Sequence, residues 1–360
     1  MRFPPDISLM LVPVFQAILA ASWQGSLAVG LVLLVRQVLG ARVPARWHYL
    51  LWFLVLGRLL VPAFVLPHSP ASLENIPAVA APFGKSPAPV MREAASDDLI
   101  VLPLPRELSP RLRSAAPIPA PHPPSRPHPW SWWMLAGSVW LVGAIGFGGW
   151  LMVCSILLGR QVRKETFAPD PAIAEIWRSC CRRWLRRAPP RVLVGDWVPS
   201  PALVGVWRPK LLLPRQLRAA FSPSDWEHVF AHEIAHLRWY DHWSQLLLHL
   251  AWCAHWFNPV VWFSLRRLRA DRELAADDWV LRHLTGERSL AYGETLFKTV
   301  ANRPAVGFSF QQGLVGISED GAQMKQRLQR ITAFLPRRQV YGSLAGLAAL
   351  LLLGTVVLGQ

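Results

Sequence analysis

Cysteine is scarce in this chain of 360 residues: Cys154, Cys180, Cys181 and Cys253 are all there is. One falls in a long apolar run and two are adjacent, so they supply no disulfide framework. Charge is scarce too, at 17% of residues against 52% hydrophobic, and acidic side chains are the rarer kind, 22 Asp and Glu against 38 Lys and Arg. The uncharged stretches that result approach the length needed to cross a bilayer, about 20 residues. A cleavable signal peptide is not expected, because the first apolar segment is too long and has no clear small-residue cleavage site. The formal charge of +16 fits the cytoplasmic lysine and arginine excess of a membrane protein better than a nucleic-acid-binding face, since apolar spans are present.

Residues 7–35 are apolar and uncharged between Asp6 and Arg36, and the first span is expected at 17–35 with an apolar lead-in. A short link with Arg36, Arg42 and Arg46 leads to a second span at 47–66. Arg58 inside it should face protein or snorkel, and Trp47 and Tyr49 suit an interface. Residues 67–129 hold sixteen of the 33 prolines with nearly balanced charge, a composition that cannot bury a core and reads as a loop. A third span is expected at 130–158, rich in Gly and small residues that allow close helix contact, and a fourth at 341–358. The basic 36–46 link, Arg160, Arg163 and Lys164 after the third span, and Arg337 and Arg338 before the fourth belong in the cytoplasm. Residues 1–66 then form two transmembrane helices, 67–129 an extracytoplasmic loop, 159–340 one cytoplasmic domain and 341–360 the last span, with both termini outside.

Within 159–340, a helix is expected near 172–187, capped by Asp170 with Pro171 in the first turn. Its apolar face is Ile173, Ile176, Trp177, Cys180 and Trp184. Strand-like runs follow at 191–195, 202–207 and 210–213, the last two joined by a tight turn at Arg208-Pro209. A helix then runs apolar to about residue 257. Asn258-Pro259 caps and restarts the chain into a second long helix ending near 284 at Gly286. A weaker helix is expected at 290–302, a loop at 303–317, and a last helix from Ser318 with Met324, Leu328 and Ile331 on one face.

The first of those two long helices contains Ala231-His-Glu-Ile-Ala-His236, the pattern H-E-x-x-H. Two imidazoles four residues apart share a helix face and can grip one Zn²⁺, while Glu233 can take the proton of an attacking water. A catalytic zinc needs a third protein ligand. Asp241, His242, His249, His255, Glu273, Asp277 and Asp278 are candidates. Glu273 is the best of them, because its helix packs back after the Asn-Pro break. Glu273 and Asp277 stand one turn apart, so one could bind metal while the other orients a ligand histidine. The alternative for Glu273 is an ion pair with Arg269 or Arg272. His242, His249, His255 and His283 read as structural. An edge strand at 202–207 or 210–213 could hold a substrate backbone as an added strand.

These segments resemble the BlaR/MecR-type family of membrane zinc peptidases, a gluzincin group of antirepressor proteases. The residues that carry the resemblance are Ser200-Pro-Ala-Leu-Val-Gly-Val-Trp-Arg-Pro-Lys-Leu-Leu-Leu-Pro214, Ala231-His-Glu-Ile-Ala-His-Leu-Arg-Trp-Tyr-Asp241, His255-Trp-Phe-Asn-Pro-Val-Val-Trp262, Asp271-Arg-Glu-Leu-Ala-Ala-Asp-Asp278 and Ala291-Tyr292. The resemblance implies an α-helical membrane protein with four transmembrane helices and a cytoplasmic α+β gluzincin-like metallopeptidase domain. It implies His232, His236 and Glu273 as ligands of one Zn²⁺ per chain, Glu233 as general base and Asp277 behind the ligands. Gly205, Asp241 and Tyr292 are candidate substrate or oxyanion contacts. The implied partners are membrane lipid, a protein or peptide substrate of the transcriptional-repressor kind, and a second copy of the chain, without direct nucleic acid. The competing readings are a non-catalytic membrane transducer with structural zinc and a housekeeping membrane gluzincin peptidase. No S-x-x-K or K-T-G motif follows the metal segments, so β-lactam sensing by this chain itself is not expected.

Overall fold

The computed structural model describes residues 5–40, 43–61, 132–185, 187–283, 288–302, 321–332 and 339–358. The Pro-rich segment at 67–129, Gly286 and the loop expected at 303–317 lie outside them. The described chain is mostly helical. Helices α1 (Pro5–Leu39) and α3 (Trp132–Lys164) are long and apolar enough to cross a bilayer. Both exceed their expected bounds. The lead-in of α1 is itself helical and passes through Pro13. At the other end of α3, Arg160, Arg163 and Lys164 are good helix formers whose charge suits a helix C-terminus. Helix α2 (Ala45–Leu60) has 16 residues and ends as Val61 turns extended, short of the 20 or so that span a bilayer. Arg58, near its end, is buried in protein and donates to the Val61 carbonyl at 3.3 Å.

Helix α4 (Pro171–Trp184) starts where Asp170 accepts from the Ala172 N–H at 3.0 Å, and it buries Ile173, Trp177 and Cys180 as its periodicity requires. Strands β1 (Arg191–Gly195), β2 (Ala202–Val204) and β3 (Lys210–Pro214) form one sheet in the order β1-β3-β2. β1 runs parallel to β3 with Arg191 opposite Lys210, and β2 runs antiparallel with Ala202 opposite Leu212. The central strand reads Lys-Leu-Leu-Leu-Pro because both faces are covered. Leu211 and Leu213 pack with Trp177 and Phe230, while Leu212 faces Leu158 and Val162 of α3. Among the described residues β2 is left as an edge.

After a short turn, α5 (Leu217–Ala220), come α6 (Pro223–Arg238) and α7 (Asp241–Ala254). The single helix expected to run to about residue 257 is therefore two. Tyr240 takes the left-handed conformation, φ 57°, and breaks it. That conformation is unfavourable for a residue with a Cβ, and the break turns Asp241 back toward His236. Helix α8 (Pro259–His283) follows Asn258, whose Oδ1 accepts from the Val260 N–H at 2.8 Å. Then come α9 (Arg288–Ala301), α10 (Gly321–Thr332) and α11 (Gln339–Leu358). A second core joins α1, α2, α7, α8 and α11 around Val32, Trp52, Leu56, Leu248, Leu265 and Leu353. α2 sits at its centre, packed against all four of the others. The H-E-x-x-H helix thus lies between the sheet on one side and the apolar bundle on the other.

Candidate metal centre

The start of α6 is fixed by a reciprocal cap. Ser222 Oγ accepts from the Asp225 N–H at 3.3 Å, Asp225 Oδ2 accepts from the Ser222 N–H at 3.0 Å, and Pro223 fills the first turn. Asp225 also receives Thr295 Oγ1 at 2.7 Å and Lys298 Nζ at 3.0 Å, which ties α9 to α6. From this base the helix presents His232 and His236 on one face, their Nε2 atoms 3.2 Å apart. Glu273, from the middle of α8, brings Oε2 to 3.3 Å from His232 Nε2 and 3.6 Å from His236 Nε2.

These separations suit one small cation. Four ligands at about 2.0–2.1 Å in a tetrahedron stand about 3.3 Å apart. The ring orientations agree. His236 Nδ1 lies 2.7 Å from Asp241 Oδ2, and His232 Nδ1 lies 3.0 Å from the Tyr292 hydroxyl and 3.2 Å from Asp277 Oδ1. With each Nδ1–H donated outward, both Nε2 lone pairs point at each other and at a carboxylate oxygen. Three electron-rich atoms facing one point need a positive charge between them, and His₂Glu is a zinc-type donor set. Among the described residues, His232, His236 and Glu273 are the one such group.

Behind each imidazole stands a buried carboxylate, itself held from a distant part of the chain. Asp241 accepts from the Tyr49 hydroxyl of α2 at 2.6 Å. Asp277 accepts from Tyr292 of α9 at 2.6 Å and, through both oxygens, from Arg327 of α10 at 2.7 and 2.8 Å. The same helix α8 carries two more buried acids. Asp271 receives Arg36 and Trp52 Nε1, both at 2.8 Å. Asp278 receives the Ala45 N–H at the start of α2 at 2.9 Å and Arg330 through both oxygens. Asp241 and Tyr292, expected as substrate or oxyanion contacts, thus have their polar atoms engaged beside the ligand rings. Tyr49, expected at a membrane interface, is instead buried with its hydroxyl on Asp241, and nothing in the sequence marks Arg327.

Burial dominates the electrostatics and neighbouring charges decide its outcome. Burial pushes the Glu233 carboxyl above its ordinary range, a shift the two imidazoles only partly offset. At Glu273 burial acts the same way, but His236, His232 and Arg272 outweigh it and hold the carboxyl well below that range. Burial works against a charged His236, yet Glu273 and Asp241 push its pKa up to about 10. A site this rich in negative charge retains cations, protons included.

The centre opens on a cleft of about 810 Å³. One wall is the free edge of β2 with Gly205 just beyond it. The others are Leu158 and Val162 of α3, Gln245 and His249 of α7, and Met324 of α10. Gly205 has φ 99°, and a Cβ there would stand 3.1 Å from the Arg208 carbonyl oxygen. Glu233 lines the same cleft, buried, beside the ligand pair. Of the other third-ligand candidates, His242 and His249 border the cleft, His255 is fully buried against the Leu59 carbonyl at 3.0 Å, and Asp278 serves α2.

Comparison with known proteins follows this geometry. The family model described as BlaR1 peptidase M56 matches residues 16–331. The regulatory protein BlaR1 of Bacillus licheniformis is 27% identical over 165 residues, 45% of this chain and 26% of that protein. The methicillin resistance mecR1 proteins of Staphylococcus aureus and Staphylococcus epidermidis are 22% identical over 138 residues, 38% of this chain and 23% of each. The chain therefore matches about a quarter of the length of these curated relatives.

Proposed function

The chain belongs to the BlaR1 peptidase M56 family, and from that premise we propose that it is an integral-membrane zinc endopeptidase acting in signal transduction. Its substrate is a cytoplasmic, repressor-like regulator, the chain itself, or both. The observation that carries the reading is the convergence of His232, His236 and Glu273 on the wall of an open cleft, beside an unpaired strand edge. His232, His236 and Glu273 would hold the ion, which when bound supplies Lewis acidity where the attacking water and the scissile carbonyl meet. Glu233 takes the proton of that water and passes it to the leaving amine. Asp241 and Asp277 hold the imidazole rings in the tautomer that presents Nε2. The β2 edge pairs with the substrate backbone as an added strand, and Gly205 lets that backbone approach. The regulatory names of the relatives support a signalling substrate. The basic flanks support four membrane spans, with 67–129 and both termini outside and the metal centre on the cytoplasmic side.

The test uses the full chain reconstituted in lipid nanodiscs, with zinc measured by mass spectrometry and cleavage scored on an unfolded test protein and on the chain itself. One zinc per chain is expected, with cleavage lost and zinc kept in Glu233→Ala. Undiminished cleavage by that variant rejects the mechanism. Signalling that survives Glu233→Ala but not His232→Ala points instead to structural zinc in a non-catalytic transducer.

A further inference from the structure

Helices α7 and α8 form a hairpin with an unusual composition. Residues 245–265 contain no Asp, Glu, Lys or Arg, and Arg266, Arg267, Arg269 and Arg272 follow at once. Folded at Asn258-Pro259, the uncharged arms reach about 20 Å in α7 and about 10 Å in α8 at about 1.5 Å per residue, too short to cross a hydrocarbon layer of about 30 Å but long enough to enter it. We infer that this hairpin is a re-entrant membrane element, which enters the bilayer from the side of the metal centre, turns within the hydrocarbon, and exposes one face to lipid acyl chains.

Two contacts with α1 set the depth. At one end Arg36 pairs with Asp271 at 2.8 Å, and at the other Asn258 Nδ2 donates to Ser22 Oγ at 2.7 Å and Ser26 Oγ at 3.1 Å. The two ends are separated by 14 residues along α1 and 13 along α8, so the helices run side by side for about 20 Å. Because α1 carries no charge between Asp6 and Arg36, a tip level with Ser22 lies deep in its apolar part. α3 gives the same answer. Trp140 Nε1 donates to the Ala254 carbonyl at 2.8 Å, and Trp256 Nε1 donates to the Trp140 carbonyl at 3.2 Å. Gly143 makes this approach possible, since a Cβ there would fall 2.3 Å from the Trp256 ring.

Non-helical backbone survives at membrane depth only when its polar groups are met by protein. At this turn three carbonyls are met in that way. The Ala254 carbonyl is taken by Trp140, the His255 carbonyl by the Asn258 N–H at 2.9 Å, and the Trp256 carbonyl by Trp262 Nε1 at 2.8 Å. His255 is fully buried and its Nε2 meets the Leu59 carbonyl in the last turn of α2. Outward, Leu250, Phe257, Val260 and Phe263 are all exposed, Leu250 to 50%. Helices α1 and α3, both apolar enough to span, pack against this hairpin and leave Leu27, Val142 and Ile145 exposed in the same way. That shared apolar exposure names lipid as what covers the face. At the arginine level, Arg269 stacks over the buried Trp252 at 4.6 Å.

The inference rests on the chain being a membrane protein and not on its being a peptidase, so the two fail separately. The test uses the full chain, its four cysteines replaced by alanine, with single nitroxides at Phe257→Cys and Phe263→Cys and a control at Trp207→Cys, in phosphatidylcholine–phosphatidylglycerol vesicles. Power saturation compares oxygen with a water-soluble nickel chelate. Oxygen should dominate at 257 and 263, more strongly at 257, while the nickel chelate dominates at 207. Leu250→Cys and Val260→Cys on the same face replace either label if its variant loses the parent's helical circular-dichroism spectrum. Nickel accessibility at 257 and 263 equal to that at 207 overturns the proposal. So does dipolar broadening between copies at 257, which would put a second chain where lipid is inferred.

Discussion

Replacing Tyr49 by Phe tests whether a membrane-side helix holds the metal centre in tune. The Tyr49 hydroxyl donates to Asp241 Oδ1 at 2.6 Å, and Asp241 Oδ2 holds His236 Nδ1 at 2.7 Å. Both residues are buried, so no bulk water stands ready to replace the lost donor. A hydrogen bond to a charged acceptor contributes about 1.5–3 kcal/mol, and at about 1.4 kcal/mol per decade that is roughly a ten- to hundredfold effect. Loss of an outer-shell partner to a metal ligand costs about 10–100-fold in affinity or activity by direct measurement on other sites. The two figures agree, so Tyr49→Phe should weaken zinc binding by about 10–100-fold. The fold should hold, because the ring stays packed edge-on against Phe53 at 5.2 Å. Competition with a chelating dye in nanodiscs reads the affinity, and Ser244→Ala, which removes the hydroxyl's second partner and keeps its bond to Asp241, is the comparison. Zinc held by Tyr49→Phe within about twofold of the parent, well inside the range expected for an outer-shell partner, would show that Asp241 needs no help from α2.

Other substitutions probe separate parts of the same arrangement. Glu233→Gln should keep full zinc occupancy and lower the cleavage rate by about 10²–10⁴-fold, the usual range for a lost proton-transfer group, as measured by peptide mass spectrometry. Arg327→Lys breaks the two-pronged grip on Asp277; a loss of about 1–3 kcal/mol is expected, seen as a lower unfolding temperature together with weaker zinc retention. Gly205→Val forces a β-branched residue to φ 99° with its Cβ 3.1 Å from a carbonyl oxygen, which should cost about 1–2 kcal/mol and raise KM for extended peptides. Removing the metal with 1,10-phenanthroline should abolish cleavage, and added zinc should restore it.

What the sequence made legible was local. Asp170 and Asn258 announce helix starts through side chains that accept from the next turn's N–H groups, and both do so here. The strands expected on either side of Arg208-Pro209 do pair antiparallel, but β2 stops at Val204, where Gly205 turns to φ 99°, so the connection is 205–209 and not a two-residue turn. The H-E-x-x-H spacing alone puts two imidazoles on one face, and the Asn-Pro break returns α8 toward them. What stayed hidden was tertiary. No glycine or asparagine marks the break at Tyr240, because the constraint comes from Asp241 reaching His236 and not from local propensity. Arg327 looks like any basic residue on an amphipathic helix until Asp277, 50 positions away, is placed beside it. The uncharged run at 245–265 reads as ordinary apolar helix, since periodicity cannot tell a face buried in a core from one turned to lipid.

Helix α8 shows how one short segment can carry both the chemistry and its mounting. Asp271 and Asp278 are seven residues apart, nearly two full turns, and so share a face. That face meets α1 and α2 through Arg36, Trp52 and the Ala45 N–H. Glu273 and Asp277, four apart, lie roughly opposite and meet the imidazole pair. The string Asp-Arg-Glu-Leu-Ala-Ala-Asp-Asp is therefore two interleaved pairs of acids, one fastening the helix to the bundle and one shaping the site. A rotation of α8 by even one residue, about 100°, would withdraw all four at once. Any displacement of α1 or α2 along the membrane normal must then be carried by α8 into the position of Glu273, or break a buried ion pair at Asp271. Breaking such a pair costs about 3–5 kcal/mol, which ties the position of Glu273 to that of α1 and α2.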